Sequence, residues 1–302
     1  MATAILKEIF DVEVVRTREP DVLKELDIIY DVGDGEFDHH QLNKEYRNDG
    51  TPYAACGLIW RRFGRDALKL IDPTLMEDEI EEIFYYIDDA MIKGIDAADN
   101  GLKTCKTIIP TMNISSVVSG FNPPWYREMM EQTAFDKAVD FASNVLKNTV
   151  SHKIATIKAR KYVVEAYNNR TKKEVVILNM FYPWERTLSE IDSENEVLFV
   201  IYPKDGQYLI QTVRERGRGR INKKSLPASW AGKRDDDLGR IIGIEDAVFC
   251  HPARFIAGAK SLESILKMAD MAIDEPEPTI IEYSFISSLK RFLLRKRLVI
   301  KW

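Results

Sequence analysis

Asp27-Ile28-Ile29-Tyr30-Asp31-Val32-Gly33 reads as a buried strand closing on a carboxylate and a glycine, and Phe37-Asp38-His39-His40-Gln41 follows after a short turn. An apolar strand that releases an acid at its carboxyl end is the layout of ligand sites in doubly wound sheets. Upstream, residues 2–10 (ATAILKEIF) read as helix, with small and straight-chain residues and neither Gly nor Pro. Residues 13–16 read as a short strand. Downstream, Ile80, Ile83, Phe84, Ile87, Met91 and Ile95 recur at helical spacing, which predicts an amphipathic helix over 76–93 that stops near Gly94. A loop is expected over 96–101, and Phe121-Asn122-Pro123-Pro124-Trp125 breaks helix. The pattern is helical again over 133–167, long enough to connect two domains. Short apolar strands alternating with helices imply βαβ units and a parallel sheet.

The second half changes character. Residues 174–179 and 196–202 are strong strand runs. Residues 208–213 answer the second across Pro203-Lys204-Asp205-Gly206, a hairpin signal with Asp-Gly in the turn. A helix over 262–271 closes this region. A tail beyond Pro278 carries Lys290, Arg291, Arg295, Lys296, Arg297 and Lys301 among apolar residues. It reads either as a terminal helix or as a contact with RNA or a membrane surface.

Composition narrows the function. The 302 residues are 45% hydrophobic, and 43 basic against 48 acidic side chains give a net charge of −5. A surface basic throughout is excluded, so any nucleic-acid contact must be a local patch. Cys56, Cys105 and Cys250 are widely spaced, which gives no disulfide framework and no cysteine-rich zinc site. They fit a reducing intracellular compartment, with the cytoplasm expected. No apolar run approaches the roughly 20 residues of a membrane helix, and no signal peptide opens the sequence.

Only four histidines exist, His39, His40, His152 and His251, and two are adjacent. Adjacent histidines on extended chain point opposite ways, so one can bind metal while the other faces a substrate or an acid. Carboxylates with neutral imidazoles suit manganese, zinc or iron-like ions better than calcium. A surface loop with two solvated histidines is the plain alternative. Asp31, Asp38 and Asp99, each after an apolar element, favour the metal site.

These residues resemble the Myg family of the DHH phosphoesterase superfamily in order and spacing. The resemblance runs through Asp31-Val32-Gly33, Phe37-Asp38-His39-His40-Gln41, Gly57-Leu58-Ile59-Trp60 and Gly94-Ile95-Asp96-Ala97-Ala98-Asp99-Asn100-Gly101. It continues through Asn122-Pro123-Pro124-Trp125, Phe181-Tyr182-Pro183-Trp184, Ser225-Leu226-Pro227-Ala228-Ser229-Trp230, Phe249-Cys250-His251 and Arg254-Phe255-Ile256-Ala257-Gly258, covering about residues 1–273. It implies an α/β protein with a DHH-type parallel sheet, flanking helices and a second, smaller α/β domain with a mixed sheet. The expected plan is a metal-site domain over 1–132, a connecting helix over 133–170, a substrate-binding domain over 171–274 and a basic tail over 275–302.

The implied activity is metal-dependent phosphodiester hydrolysis, as a 3′–5′ exoribonuclease acting on RNA or short oligonucleotides, with manganese the expected ion. The resemblance makes Asp31, His39 and Asp99 metal ligands, with Asp96 the weaker candidate. His40 would face the phosphate or leaving group, and Asp38 would hold the histidine loop. His251 and Arg254 would bring phosphate contacts from the second domain, facing the histidine loop across a groove. Family members begin with a strand and a His-x-Asp-Asp or His-x-Asp-Glu motif, and this sequence starts inside the helix that follows. The expectation is either a fragment begun at an internal Met or an impaired, one-metal member that binds RNA or nucleotides without turnover.

Other candidates stay open on the residues alone. Arg214, Arg216, Arg218, Arg220, Lys223 and Lys224 alternate with Gly, Glu and Asn, as a mobile phosphate-following loop or as a solvated hairpin extension. Tyr182 and Trp184 suit packing better than base stacking. His152 reads as a surface histidine, and Cys56 and Cys250 as packing residues.

Overall fold

The structure, a computed structural model, describes residues 1–102, 109, 112–127, 130–219 and 221–276. Cys105, Arg220 and the basic residues of the tail lie outside the described residues. The chain divides into two compact units, Met1–Ile157 and Lys158–Trp302.

The first unit is helical. Its elements are α1 (Ala2–Leu6), α2 (Pro20–Leu23), α3 (Ala55–Ile71), α4 (Glu77–Ile87), a π-helical turn (Asp88–Ile92), α5 (Lys93–Asp99), α6 (Ile114–Ser119) and the first part of α7 (Glu131–Asn168). Glu77, Asp78 and Glu79 fill the first turn of α4, where the helix dipole favours acids, and the Met76 N–H donates to Glu79 Oε2 at 2.9 Å. Ile5, Trp60, Leu68, Ile83, Ile87, Leu146 and Ile154 form the core between α1, α3, α4 and α7. Trp60 stacks on Phe84 at 5.5 Å and donates its indole N–H to the Phe84 carbonyl.

Two sequence expectations change here. The helix predicted to stop near Gly94 continues through the π-helical turn to Asp99. Gly94 is exposed and helical, and a single exposed glycine costs a helix only about 1 kcal/mol. The segment expected as a loop from Asp96 is therefore helix as far as Asp99. The strands expected over 13–16 and 27–33 build no ladder. Strand pairing in this unit is limited, among the described residues, to isolated bridges between Tyr30 and Phe37 and between Tyr46 and Pro52. A parallel strand needs hydrogen-bonded neighbours and covered faces; residues 13–16 are largely exposed and have neither. The parallel sheet expected in this half is thus missing among the described residues.

The α/β class itself holds for the chain. The second unit carries an open mixed sheet of five strands in the order β1-β2-β3-β5-β4. These are β1 (Val175–Ile177), β2 (Phe199–Lys204), β3 (Gln207–Thr212), β4 (Ala247–Cys250) and β5 (Ile256–Ala259). β1 pairs parallel with β2 and the other pairs are antiparallel. The β2–β3 hairpin turns at Asp205 and Gly206, with φ of 51° and 75°, as the Asp-Gly signal predicts. Alternation along β2 sends Phe199 and Ile201 into one core with Trp230, Leu238 and Met268, and Val200 and Tyr202 into another with Val163, Trp184 and Leu188. Helices α8 (Glu185–Ile191), α9 (Asp235–Ile242) and α10 (Leu262–Asp274) complete the unit.

Candidate metal centre

The site forms where the chain leaves the Tyr30–Phe37 bridge. Asp31 donates its N–H to the Phe37 carbonyl at 3.0 Å, which ties the acid to the segment bearing the histidines. Asp31 has φ of 67° and Asp34 φ of 54°, left-handed values that aspartate tolerates but that store strain. His39 is nearly enclosed, with its side chain 7% exposed, while Asp31 and Asp99 are about half exposed. Its Nδ1 lies 3.3 Å from Asp31 Oδ1 and its Nε2 lies 3.4 Å from Asp99 Oδ2. The buried Nδ1 makes no hydrogen bond.

His40 stacks on His39 with ring centroids 4.1 Å apart. Its Nδ1–H donates to Asp38 Oδ1 at 2.8 Å. The Asp38 carboxylate also accepts the N–H groups of Asp34, at 2.9 Å, and His40, at 3.1 Å. Burial works against its charge, but these bonds, led by the His40 side chain, outweigh it and hold the carboxyl below the ordinary range. An ionised Asp38 fixes the proton of neutral His40 on Nδ1 and leaves Nε2 as a lone pair. Burial, followed by the facing charge of Asp99, raises Asp31.

Asp31, His39 and His40 each offer a ligand atom, and these atoms lie within 4.8 Å of one another. Asp99 stands at the other ring nitrogen of His39. The donors fit a divalent cation: an unsatisfied buried imidazole nitrogen faces a carboxylate whose own charge is disfavoured, with a second carboxylate across the ring. A cavity of about 730 Å³ opens beside Asp31 and Asp99, walled also by Tyr30, Ile114, Phe121 and Asn122.

Asp96 does different work. Its side chain is fully buried and accepts the Gly57 N–H at 2.9 Å and Arg47 Nη2 at 2.8 Å. Arg47 also forks onto Asp88, at 2.7 and 2.9 Å, and lies over the Tyr53 ring. Burial opposes the Arg47 charge, but the bonds to Asp88 and Asp96 more than restore it. Burial pushes Asp96 up to about 6, although Arg47 and Gly57 draw it down. Asp96 satisfies a free N–H in the first turn of α3. The sequence reading missed Arg47 and Asp88.

The family model MYG1_exonuc, described as "Uncharacterised protein family (UPF0160)", matches residues 1–273. The chain belongs to this family. A MYG1 protein of Schizosaccharomyces pombe is 30% identical over 291 residues, which cover 88% of this chain and 89% of that protein. The MYG1 exonuclease of Mus musculus is 30% identical over 297 residues, 88% of this chain and 78% of its own. That of Homo sapiens is 29% identical with similar coverage. No solved structure matches the chain. Among the described residues, no helix is long and apolar enough to cross a membrane.

The motifs from Phe181 onward lie in the second unit. His251 and Arg254 occupy the turn between β4 and β5. His251 is exposed, and its Nδ1 accepts the Ala253 N–H at 3.0 Å. Arg254 has φ of 57° and donates to the Leu226 carbonyl at 3.2 Å. The basic stretch is partly structural. Lys223 is buried on Asp192 at 2.9 Å, Lys224 donates to the Ile273 carbonyl, and Arg216 donates to the Asp192 carbonyl. Tyr182 is buried, stacked on Tyr162 at 4.8 Å, and Trp184 is buried with it, so both pack. Burial raises the thiols of Cys56 and of Cys250, the latter to about 11, which suits packing rather than nucleophilic attack. His152 is exposed on α7.

Proposed function

We propose that this chain is a metal-dependent phosphodiesterase that removes nucleotides from the 3′ end of RNA or short oligonucleotides, with manganese as its working ion. The observation that carries the reading is the enclosed His39 imidazole, its Nδ1 unsatisfied, held between Asp31 and Asp99. Relatives named MYG1 exonuclease and the resemblance to DHH phosphoesterases support it.

Asp31, His39 and Asp99 would hold the cation, with a ring nitrogen of His40 within 4.8 Å of the Asp31 and His39 donor atoms. When bound, such an ion polarises a phosphoryl oxygen and makes water more acidic. His40, aimed by Asp38 and exposed, would take a proton from the attacking water on its free Nε2 and then pass that proton to the departing oxygen. The cavity beside Asp31 and Asp99 has the volume of a small-ligand pocket, room for a nucleotide. His251 and Arg254 are proposed as phosphate contacts, since both lie on an accessible turn.

The test is degradation of a 5′-labelled RNA oligomer with manganese, with magnesium and with EDTA. Stepwise shortening that requires manganese and disappears in His39→Ala is expected. Undiminished cleavage in EDTA, or an unchanged rate in His39→Ala, would remove the metal mechanism. RNA binding without cleavage, with manganese bound, would point to the binding-only reading.

A further inference from the structure

We infer that Asn100, acting with the Arg47–Asp96 pair, is a positioning device that fixes Asp99 against the His39 ring and so sets the site's affinity for a divalent cation. The inference rests on the metal reading above and extends it to residues that touch no ligand.

Two separate segments supply the donors. His39 and His40 lie on the chain that runs on into residues 41–53, and Asp99 is the last residue of α5. Helix ends fray, and a donor there keeps its place only if something holds it. Asn100, the next residue, donates its amide to the Tyr53 carbonyl at 3.1 Å and the Asp96 carbonyl at 3.0 Å. Its Oδ1 accepts from Lys44 Nζ at 2.9 Å. One turn back, Asp96 grips Arg47 and the Gly57 N–H. The segment leaving the histidines is thus fastened to the end of α5 at Lys44, Arg47 and Tyr53.

The chemistry of the fastening argues for position. A buried ion pair is weak support for stability, because desolvating two charges cancels much of their attraction. It does impose one geometry: the guanidinium fork on Asp88 and Asp96 fixes direction as well as distance. Metal donors need that, since outer partners of a ligand commonly set affinity by ten- to a hundredfold.

The test uses the full chain with manganese alone, titrated by electron paramagnetic resonance. Asn100→Ala and Arg47→Lys should each weaken manganese binding about tenfold or more. If the device acts through Asp99, the double variant Asn100→Ala/Asp99→Asn binds no more weakly than Asp99→Asn alone. Should Arg47→Lys fail to fold, Asn100→Ala and the exposed Lys44→Ala decide. Affinity within twofold of wild type in Asn100→Ala and Lys44→Ala, while His39→Ala loses the ion and Asp99→Asn binds it more weakly, overturns the positioning role and leaves the metal reading standing. Additive losses in the double variant overturn it as well. If the wild-type chain takes up no manganese, both readings fall together.

Discussion

At the residue scale the site is a set of orientations. Asp38 is buried, ionised and triply bonded, so it dictates the His40 tautomer and keeps that ring on His39. Replacing the carboxylate by an amide keeps the shape and removes the charge. Asp38→Asn is therefore expected to lower kcat by roughly ten- to a hundredfold with little change in KM. Steady-state kinetics on the oligomer checks this, and a loss confined to KM would move Asp38 from catalysis to substrate binding. The sequence exposes these residues well. Two of four histidines stand together after an apolar run, and little else in the chain resembles that. Arg47 is invisible because burial of a cation depends on acids 41 and 49 residues away, and no local pattern marks it.

At the element scale, Gly57 is where two helices meet. A Cβ there would fall 1.8 Å from Asp96 Oδ2 and 2.8 Å from the Tyr53 ring. Gly57→Ala must push Asp96 off the first turn of α3, and a destabilisation of about 3 kcal/mol is expected from overpacking and the broken charge-assisted bond. Gly94→Ala makes the contrast, since nothing lies within 4 Å of that position and it is helical. It should stabilise the chain by about 1 kcal/mol. Urea denaturation of the two variants measures both, and similar effects of the same sign would refute the packing argument. Periodicity found the apolar stripe through Ile95 but not the end of the helix, because a stop was read from one exposed glycine. The π-helical turn, Asp88–Ile92, was also beyond reach, since an extra residue in a helical turn leaves the apolar spacing nearly intact. That turn supplies Asp88 to Arg47.

At the scale of the molecule, acid stability depends on the buried Asp192–Lys223 pair. Burial would raise Asp192, but Lys223 and then the N–H groups of Val197 and Glu196 outweigh it, so its pKa in the fold lies below the ordinary carboxylate value of about 3.9. Its contribution is present at neutral pH and is lost as pH falls through the depressed value. Asp192→Asn leaves Lys223 buried without its partner and should cost about 3 kcal/mol at pH 7. The difference from wild type should shrink as pH falls below the ordinary carboxylate value and through the depressed one. Urea unfolding at pH 7 and pH 2.5 tests this, and an equal loss at both would deny the ion pair its role. The second unit was the more readable half, because strands with alternating burial and an Asp-Gly turn announce themselves locally. In the first unit the apolar runs over 13–16 and 27–33 suggest strands that, among the described residues, build no ladder, since whether a strand pairs depends on neighbours remote in the chain.

Most two-unit proteins are joined by loose polypeptide, the place where proteases cut and recombination swaps parts. Here the boundary between Ile157 and Lys158 falls inside α7, 38 residues and about 57 Å of continuous helix. Ile154, Ile157, Ala159 and Val163 are buried along it. Trypsin therefore meets Lys158, Arg160 and Lys161 as wound backbone rather than as an open strand. A gene cut at the joint would yield two pieces, each with a raw helix end and carbonyls or N–H groups stripped of their partners.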